Sequence, residues 1–108
     1  MVAKRWTPDT GDIIWLQFNP QAGHEQAGRR PAIVLSPAAY NGKTGLALCV
    51  PMTTRIKNYP FEVTVKGGVA LADQIKCLDR RAWGAVKKGK AGAPEIEEIR
   101  TKLKALLG

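Results

Sequence analysis

The apolar positions of this chain fall into short runs separated by Gly-, Pro- and Asn-bearing breaks, and only the last stretch carries a helical period. Gly11–Phe18 is rich in β-branched and aromatic residues and is closed by Asn19-Pro20, which marks a strand. Arg30–Ser36 is a second strand; Pro31 cannot donate to a ladder, so it belongs at the strand's first residues or on an edge. Ser36-Pro37 opens a connection to Gly45, with one helical turn through Ala38, Ala39 and Tyr40. Gly45–Met52 is mostly apolar and is expected to be buried on both faces. Phe61–Val65 alternates strictly, as a half-buried strand does. The turn signal Lys66-Gly67-Gly68 leads into a strand Val69–Leu78, with Val69, Leu71 and Ile75 on one face. The basic connector 79–92 contains a further short strand around Trp83–Val86. Pro94–Leu107 is a helix: Pro94 suits its first turn, Glu95, Glu97 and Glu98 complement the positive dipole end, and Lys102 and Lys104 the negative end. Its stripe of Ile96, Ile99, Leu103, Leu106 and Leu107 must lie against something. The pattern predicts a mainly β domain spanning residues 1–108, a small and strongly curved antiparallel sheet or barrel with a C-terminal helix packed on it.

Composition adds a partner class. Hydrophobic residues make up 44% and charged residues 24%, an ordinary globular balance. Lys and Arg outnumber Asp and Glu by 17 to 9, and the resulting charge of +8 on so small a surface favours a polyanion such as nucleic acid. Cys49 and Cys77 lie in apolar runs and are expected to be buried free thiols in a reducing cytosol. A single His24, far from either cysteine, offers no metal-ligand spacing, so neither metal nor other cofactor is expected. With no apolar signal core at the N-terminus and no run of membrane-spanning length, the chain is expected to be soluble and cytoplasmic, with no membrane partner.

Candidate chemistry concentrates in the loop Gly23–Pro31 (Gly-His-Glu-Gln-Ala-Gly-Arg-Arg-Pro), where His24, Glu25, Arg29 and Arg30 are interleaved with glycines between two apolar runs. Arginine presents a planar fork of donors suited to phosphate oxygens and stays charged at working pH. A second candidate is the segment Pro51–Lys57, in which Thr53 and Thr54 precede Arg55 and Lys57 at the end of a buried strand. Asp73 and Gln74, inside an otherwise apolar strand, must find partners or face a groove. Trp15, Trp83, Phe18 and Tyr40 are each either core aromatics or stacking surfaces for unpaired bases.

Taken together, Gly11–Trp15, Gly23–Ser36, Cys49–Thr54, Tyr59–Val63 and Val69–Gln74 resemble the MazF/PemK toxin family, with Gly-x-Glu-Gln-x-x-x-Arg-Pro as the most specific element. The resemblance implies an SH3-like barrel with a C-terminal helix, a homodimer, and a metal-independent endoribonuclease that cuts single-stranded RNA, especially mRNA. It implies an antitoxin partner that blocks the groove with an extended acidic segment. Residue by residue, it implies catalytic roles for Glu25, Arg30 and Thr53. In the PemK branch an arginine two residues before the aspartate takes part in catalysis; here that position is Leu71. The Lys66–Gly68 turn also looks shorter than the corresponding family loop. Residues expected to touch RNA are His24, Arg29, Thr54, Arg55, Lys57, Asp73, Gln74 and Trp15. Two other function classes stay open on sequence: a non-catalytic module that holds single-stranded nucleic acid, and a toxin that binds a protein target such as gyrase.

Overall fold

A computed structural model describes residues 6–16, 30–82 and 87–108 of the chain. Strands β1 (Asp12–Leu16) and β2 (Arg30–Val34) are followed by helix α1 (Ala38–Thr44) and by β3 (Leu46–Thr53). Then come β4 (Glu62–Val65), β5 (Gly68–Leu71), a short 3₁₀ turn (Ala72–Gln74), β6 (Lys76–Asp79), a second 3₁₀ turn (Arg80–Ala82), β7 (Lys87–Lys90) and helix α2 (Ala93–Leu107). All pairings are antiparallel, in the order β4-β5-β3-β2-β1-β7, with β6 also on β3.

The eight-residue β3 organises this sheet. One edge pairs with β2, while on the other its first residues pair with β6 and its last with β5. Serving two partners in succession curls the sheet into a half-barrel, as the sequence pattern led one to expect. The strand expected over Val69–Leu78 is accordingly two strands, and this is a correction. A straight continuation would carry the Asp73 carboxylate along the apolar sheet, where an unpaired charge is costly. Instead the chain coils at Ala72–Gln74, where the Ala72 N–H donates to the Phe61 carbonyl at 2.9 Å and the Asp73 carboxylate accepts from the Tyr59 hydroxyl.

Both faces of the central strands are covered. On one face Ile13, Ile33, Val50, Met52, Val63 and Val65 pack with Ile96 and Ile99 of α2. On the other, Ile14, Leu16, Ala32, Val34, Ala47 and Cys49 form a second cluster, against which Trp6 and Leu78 pack. Burying a side chain of this size is worth roughly 1.5–3 kcal/mol, so the two clusters dominate the fold's stability. The helical stripe is shorter than expected: the core meets α2 at Ile96, Ile99 and Leu103, and Leu106 and Leu107 beyond them are 49% and 80% exposed. Cys77 is likewise exposed on β6, not buried as expected, whereas Cys49 is buried. The strand expected around Trp83–Val86 lies outside the described residues; the strand seen here is β7, which pairs Asp12 with Lys90 and Ile13 with Gly89.

Helix α1 is nearly two turns rather than one, ending at Gly45, whose φ of 75° is the left-handed cap that glycine adopts without strain. Buried Asn41 anchors it. The Asn41 amide donates to the carbonyls of Pro8 and Ser36 at 2.8 and 2.9 Å, and its oxygen accepts from the Ser36 hydroxyl at 2.6 Å. The Ser36 hydroxyl oxygen in turn accepts from the Leu48 N–H.

Candidate active site

Antiparallel pairing decides which chemical groups meet. Ala32 faces Pro51, Ile33 faces Val50 and Val34 faces Cys49. Carried two residues further, this register sets Arg30 at the start of β2 level with Thr53 at the end of β3. Arg30 lies opposite Leu16 on the other side, and Trp15 opposite Pro31. The mouth of the half-barrel at this end is a groove of about 710 Å³ whose walls include Trp15, Arg30, Thr53, Thr54, Arg55 and Lys66. A contiguous recess of about 330 Å³ shares Arg30, Thr53 and Arg55 with it and adds Lys57, Tyr59, Glu62 and Gln74. Arg30 also borders a third hollow, of about 250 Å³, beside Gln74, Lys76 and Leu78. One guanidinium thus sits where three depressions meet.

The local backbone explains why this end is open and basic. Lys66 and Gly67 have φ of 38° and 84°, both left-handed, and close a two-residue turn between paired Val65 and Gly68. Such a turn matches the right-handed twist of its flanking strands. It brings Lys66 to the groove's rim. Gly68 is required by close approach, since a Cβ there would lie 2.7 Å from the Thr53 carbonyl oxygen. The loop after β3 is held by two short links. The Thr53 hydroxyl oxygen accepts from the Arg55 N–H at 3.1 Å, and the Glu62 carboxylate accepts from the N–H groups of Lys57 and Asn58 at 3.0 and 3.1 Å. The Glu62 side chain is therefore occupied in fixing the loop that carries Lys57.

Of the residues singled out from sequence, Arg30, Thr53, Thr54, Arg55, Lys57, Gln74 and Trp15 are brought together around this connected groove. Asp73 stands one step behind it, reached through the Tyr59 hydroxyl. That carboxylate holds the Tyr59 hydroxyl's proton more tightly and raises its pKa, burial adding to the effect. His24, Glu25 and Arg29 lie outside the described residues. Sequence reasoning missed Lys66 and Tyr59 as groove residues. Lys66 read only as turn chemistry and Tyr59 only as part of a motif, and their nearness to Thr53 is a product of the β3–β5 pairing. Among the described residues no group of three or more His, Cys, Asp or Glu is placed to hold a metal ion, and no helix is long and apolar enough to cross a membrane.

The chain matches, over residues 9–107, the family described as PemK-like, MazF-like toxin of type II toxin-antitoxin system. It is 53% identical over 111 residues to the endoribonuclease toxin MazF of Escherichia coli strain K12, a match covering 99% of this chain and 100% of that protein. It is 33% identical over 109 residues to the endoribonuclease toxin ChpB of the same strain, covering 92% of this chain and 93% of that one. Among solved structures it resembles MazE-MazF (Form-II) from Deinococcus radiodurans with a TM-score of 0.85 and 53% identity, over 96% of this chain and 98% of the other.

Proposed function

This chain belongs to the PemK-like, MazF-like toxins of type II toxin–antitoxin systems, and from that premise we propose that it is an endoribonuclease toxin that cuts single-stranded RNA without a metal. The reaction uses the substrate's own 2′-hydroxyl. Its oxygen forms a bond to the adjacent phosphorus, its proton passes to a base, and the P–O5′ bond breaks as the departing oxygen takes up a proton. The products are a 2′,3′-cyclic phosphate and a 5′-hydroxyl, and no water is consumed in the step.

Arg30 supplies fixed positive charge where negative charge builds on the phosphorane-like transition state. One such preorganised donor is worth roughly 3–4 kcal/mol, or about a hundred- to a thousandfold in rate. Thr53 donates its hydroxyl to a non-bridging oxygen; that hydroxyl's oxygen already accepts from the Arg55 N–H, which leaves its own hydrogen free for substrate. Glu25 enters on the motif as the base or as the group that orients Arg30. Thr54, Arg55, Lys57 and Lys66 hold the flanking phosphates, and Trp15 offers a face to a base. The meeting of Arg30 and Thr53 in one cationic groove carries this reading. The toxin works in the cytoplasm as a homodimer, and its antitoxin silences it by laying an extended acidic segment along the same cations.

The test is a long labelled RNA incubated with purified protein in EDTA, with the cleavage ends mapped. Wild-type protein yields defined fragments ending in cyclic phosphate. Arg30→Ala lowers the rate by about a hundred- to a thousandfold while its circular dichroism and melting temperature stay at wild-type values. Undiminished cleavage by that variant would remove Arg30 from the mechanism. Intact but retarded RNA with wild-type protein would instead make the chain a binding module.

A further inference from the structure

The turn between β4 and β5 departs from the residue types its backbone favours. Its two central residues, Lys66 and Gly67, are both left-handed, with φ of 38° and 84°. Two-residue turns of this kind favour Asn-Gly or Gly-Gly, because most side chains resist a positive φ. Gly67 fits that preference and Lys66 does not. No ion pair accounts for the exception: Lys66 is exposed, and among the described residues no carboxylate pairs with it. By contrast, the ammonium groups of Lys87 and Lys90 lie 3.6 and 3.8 Å from Asp12, and that of Lys102 lies 3.3 Å from Glu98. Residues held in sparsely populated backbone regions persist only where their surroundings over-determine them, and they cluster at ligand sites.

The surroundings of Lys66 do over-determine it. Buried Val65 pairs with Gly68, and Val69 pairs with Thr53. Gly68 lies so close to β3 that a Cβ there would sit 2.7 Å from the Thr53 carbonyl oxygen. The turn is thereby fixed to the end of β3 that carries Thr53, and Lys66 lines the main groove together with Arg30, Thr53, Thr54 and Arg55. Resting on the endoribonuclease reading, we infer that Lys66 anchors one particular phosphate of the RNA, a neighbour of the phosphate held by Arg30 and Thr53. Lys66 is a positioning residue: its ammonium touches no reacting atom and sets the register of the strand in the groove. Lysine suits this task as a point charge that holds a phosphate without reading a base. Because its backbone is fixed relative to Thr53, the charge serves one linkage rather than the strand as a whole. Asparagine at this position relaxes the backbone and removes the charge, so stability and substrate positioning move in opposite directions.

The experiment uses short oligoribonucleotides spanning one mapped cleavage site, in which a single phosphate at a time is replaced by a neutral methylphosphonate. The nucleotide 5′ of each neutral linkage carries a 2′-O-methyl group, and matched controls carry that group beside the ordinary phosphate. Values of kcat/KM and melting temperatures are measured for wild type, Lys66→Asn and Lys66→Arg. On fully charged RNA, Lys66→Asn loses about fivefold in kcat/KM, while its melting temperature rises by roughly 2–6 °C. At one neutral linkage beside the cut, wild type loses the same factor and Lys66→Asn loses nothing more. Lys66→Arg keeps the wild-type pattern at that linkage, since the charge is retained. A Lys66→Asn deficit of equal size at every linkage would mean that the charge acts only as a diffuse field, and the anchor would be overturned while the nuclease reading stood. A Lys66→Asn variant that lost both activity and stability would make Lys66 a structural residue and overturn the anchor as well. If wild type leaves all RNA intact, the nuclease reading falls, and the anchor is judged by fluorescence anisotropy on the same oligoribonucleotides: coupling between Lys66 and one phosphate upholds it, and uniform loss ends it.

Discussion

Single side chains do structural work here far from their neighbours in sequence. Pro37 precedes α1 and has no side chain able to cap it, and the vacant role is filled by Asp9. Its Oδ1 accepts from the Ala38 N–H at 2.9 Å and from the Thr10 N–H at the same distance. These bonds to the charged form, that from Ala38 foremost, hold the Asp9 carboxyl below its ordinary range. A depressed folded-state pKa means that Asp9's contribution is complete above the ordinary carboxylate range and is lost as pH falls through the folded value. We therefore expect the melting temperature of Asp9→Ala to lie below that of wild type at neutral pH, with the gap narrowing below about pH 4. A thermal-denaturation series in pH checks this, and a gap independent of pH would assign the effect to packing. Burial acts in the opposite sense on Cys49, whose thiol is pushed up to about 12 and is thereby inert at neutral pH.

At the scale of elements, the β4–β5 hairpin is the piece that shapes the site. Its turn needs left-handed backbone at both Lys66 and Gly67, and its first β5 residue must let β3 come within contact distance. Gly68→Ala places a methyl group against the Thr53 carbonyl and forces the two strands apart. The expected cost is about 1–3 kcal/mol in urea unfolding, accompanied by slower single-turnover RNA cleavage because Thr53 moves with the strand. Gly89 in β7 is the control, since an added Cβ there meets nothing within 4 Å. Gly89→Ala is expected to stay within about 0.5 kcal/mol of wild type. Equal effects at the two glycines would mean that strand propensity, rather than the close approach, governs both.

For the whole molecule the governing quantity is the net positive charge of +8, four of whose cations line the groove. Basic residues outnumber acidic ones by 17 to 9, and Arg30, Arg55, Lys57 and Lys66 line one connected groove. Counterion release then predicts that RNA affinity falls steeply with salt, with a log–log slope losing about 0.7 for each phosphate contact removed. On the Arg30→Ala background, Lys57→Ala and Lys66→Ala should each flatten the slope by about that amount. Arg100→Ala should leave it unchanged, because Arg100 sits on α2 beside Glu97, outside the groove. Titrations at several salt concentrations decide, and a slope equally sensitive to Arg100 would mean that RNA is held by diffuse surface charge.

Much of this was legible in the chain itself. The strands up to β4 and the C-terminal helix were read to within one or two residues wherever both ends are described, because alternation, turn residues and helix-end chemistry are local properties. The family and its Arg30–Pro31 and Thr53–Thr54 motifs were legible too, since residue type and spacing carry them. Three things depended on tertiary structure. The break at Ala72–Gln74, the exposure of Cys77 and of the last helical leucines, and the presence of Lys66 and Tyr59 beside Thr53 follow from strand register and sheet curvature. Those are set by contacts between residues distant in sequence. A sequence states which groups are available; only the closure of β3 against β2 on one edge and β5 on the other decides which of them meet in one groove.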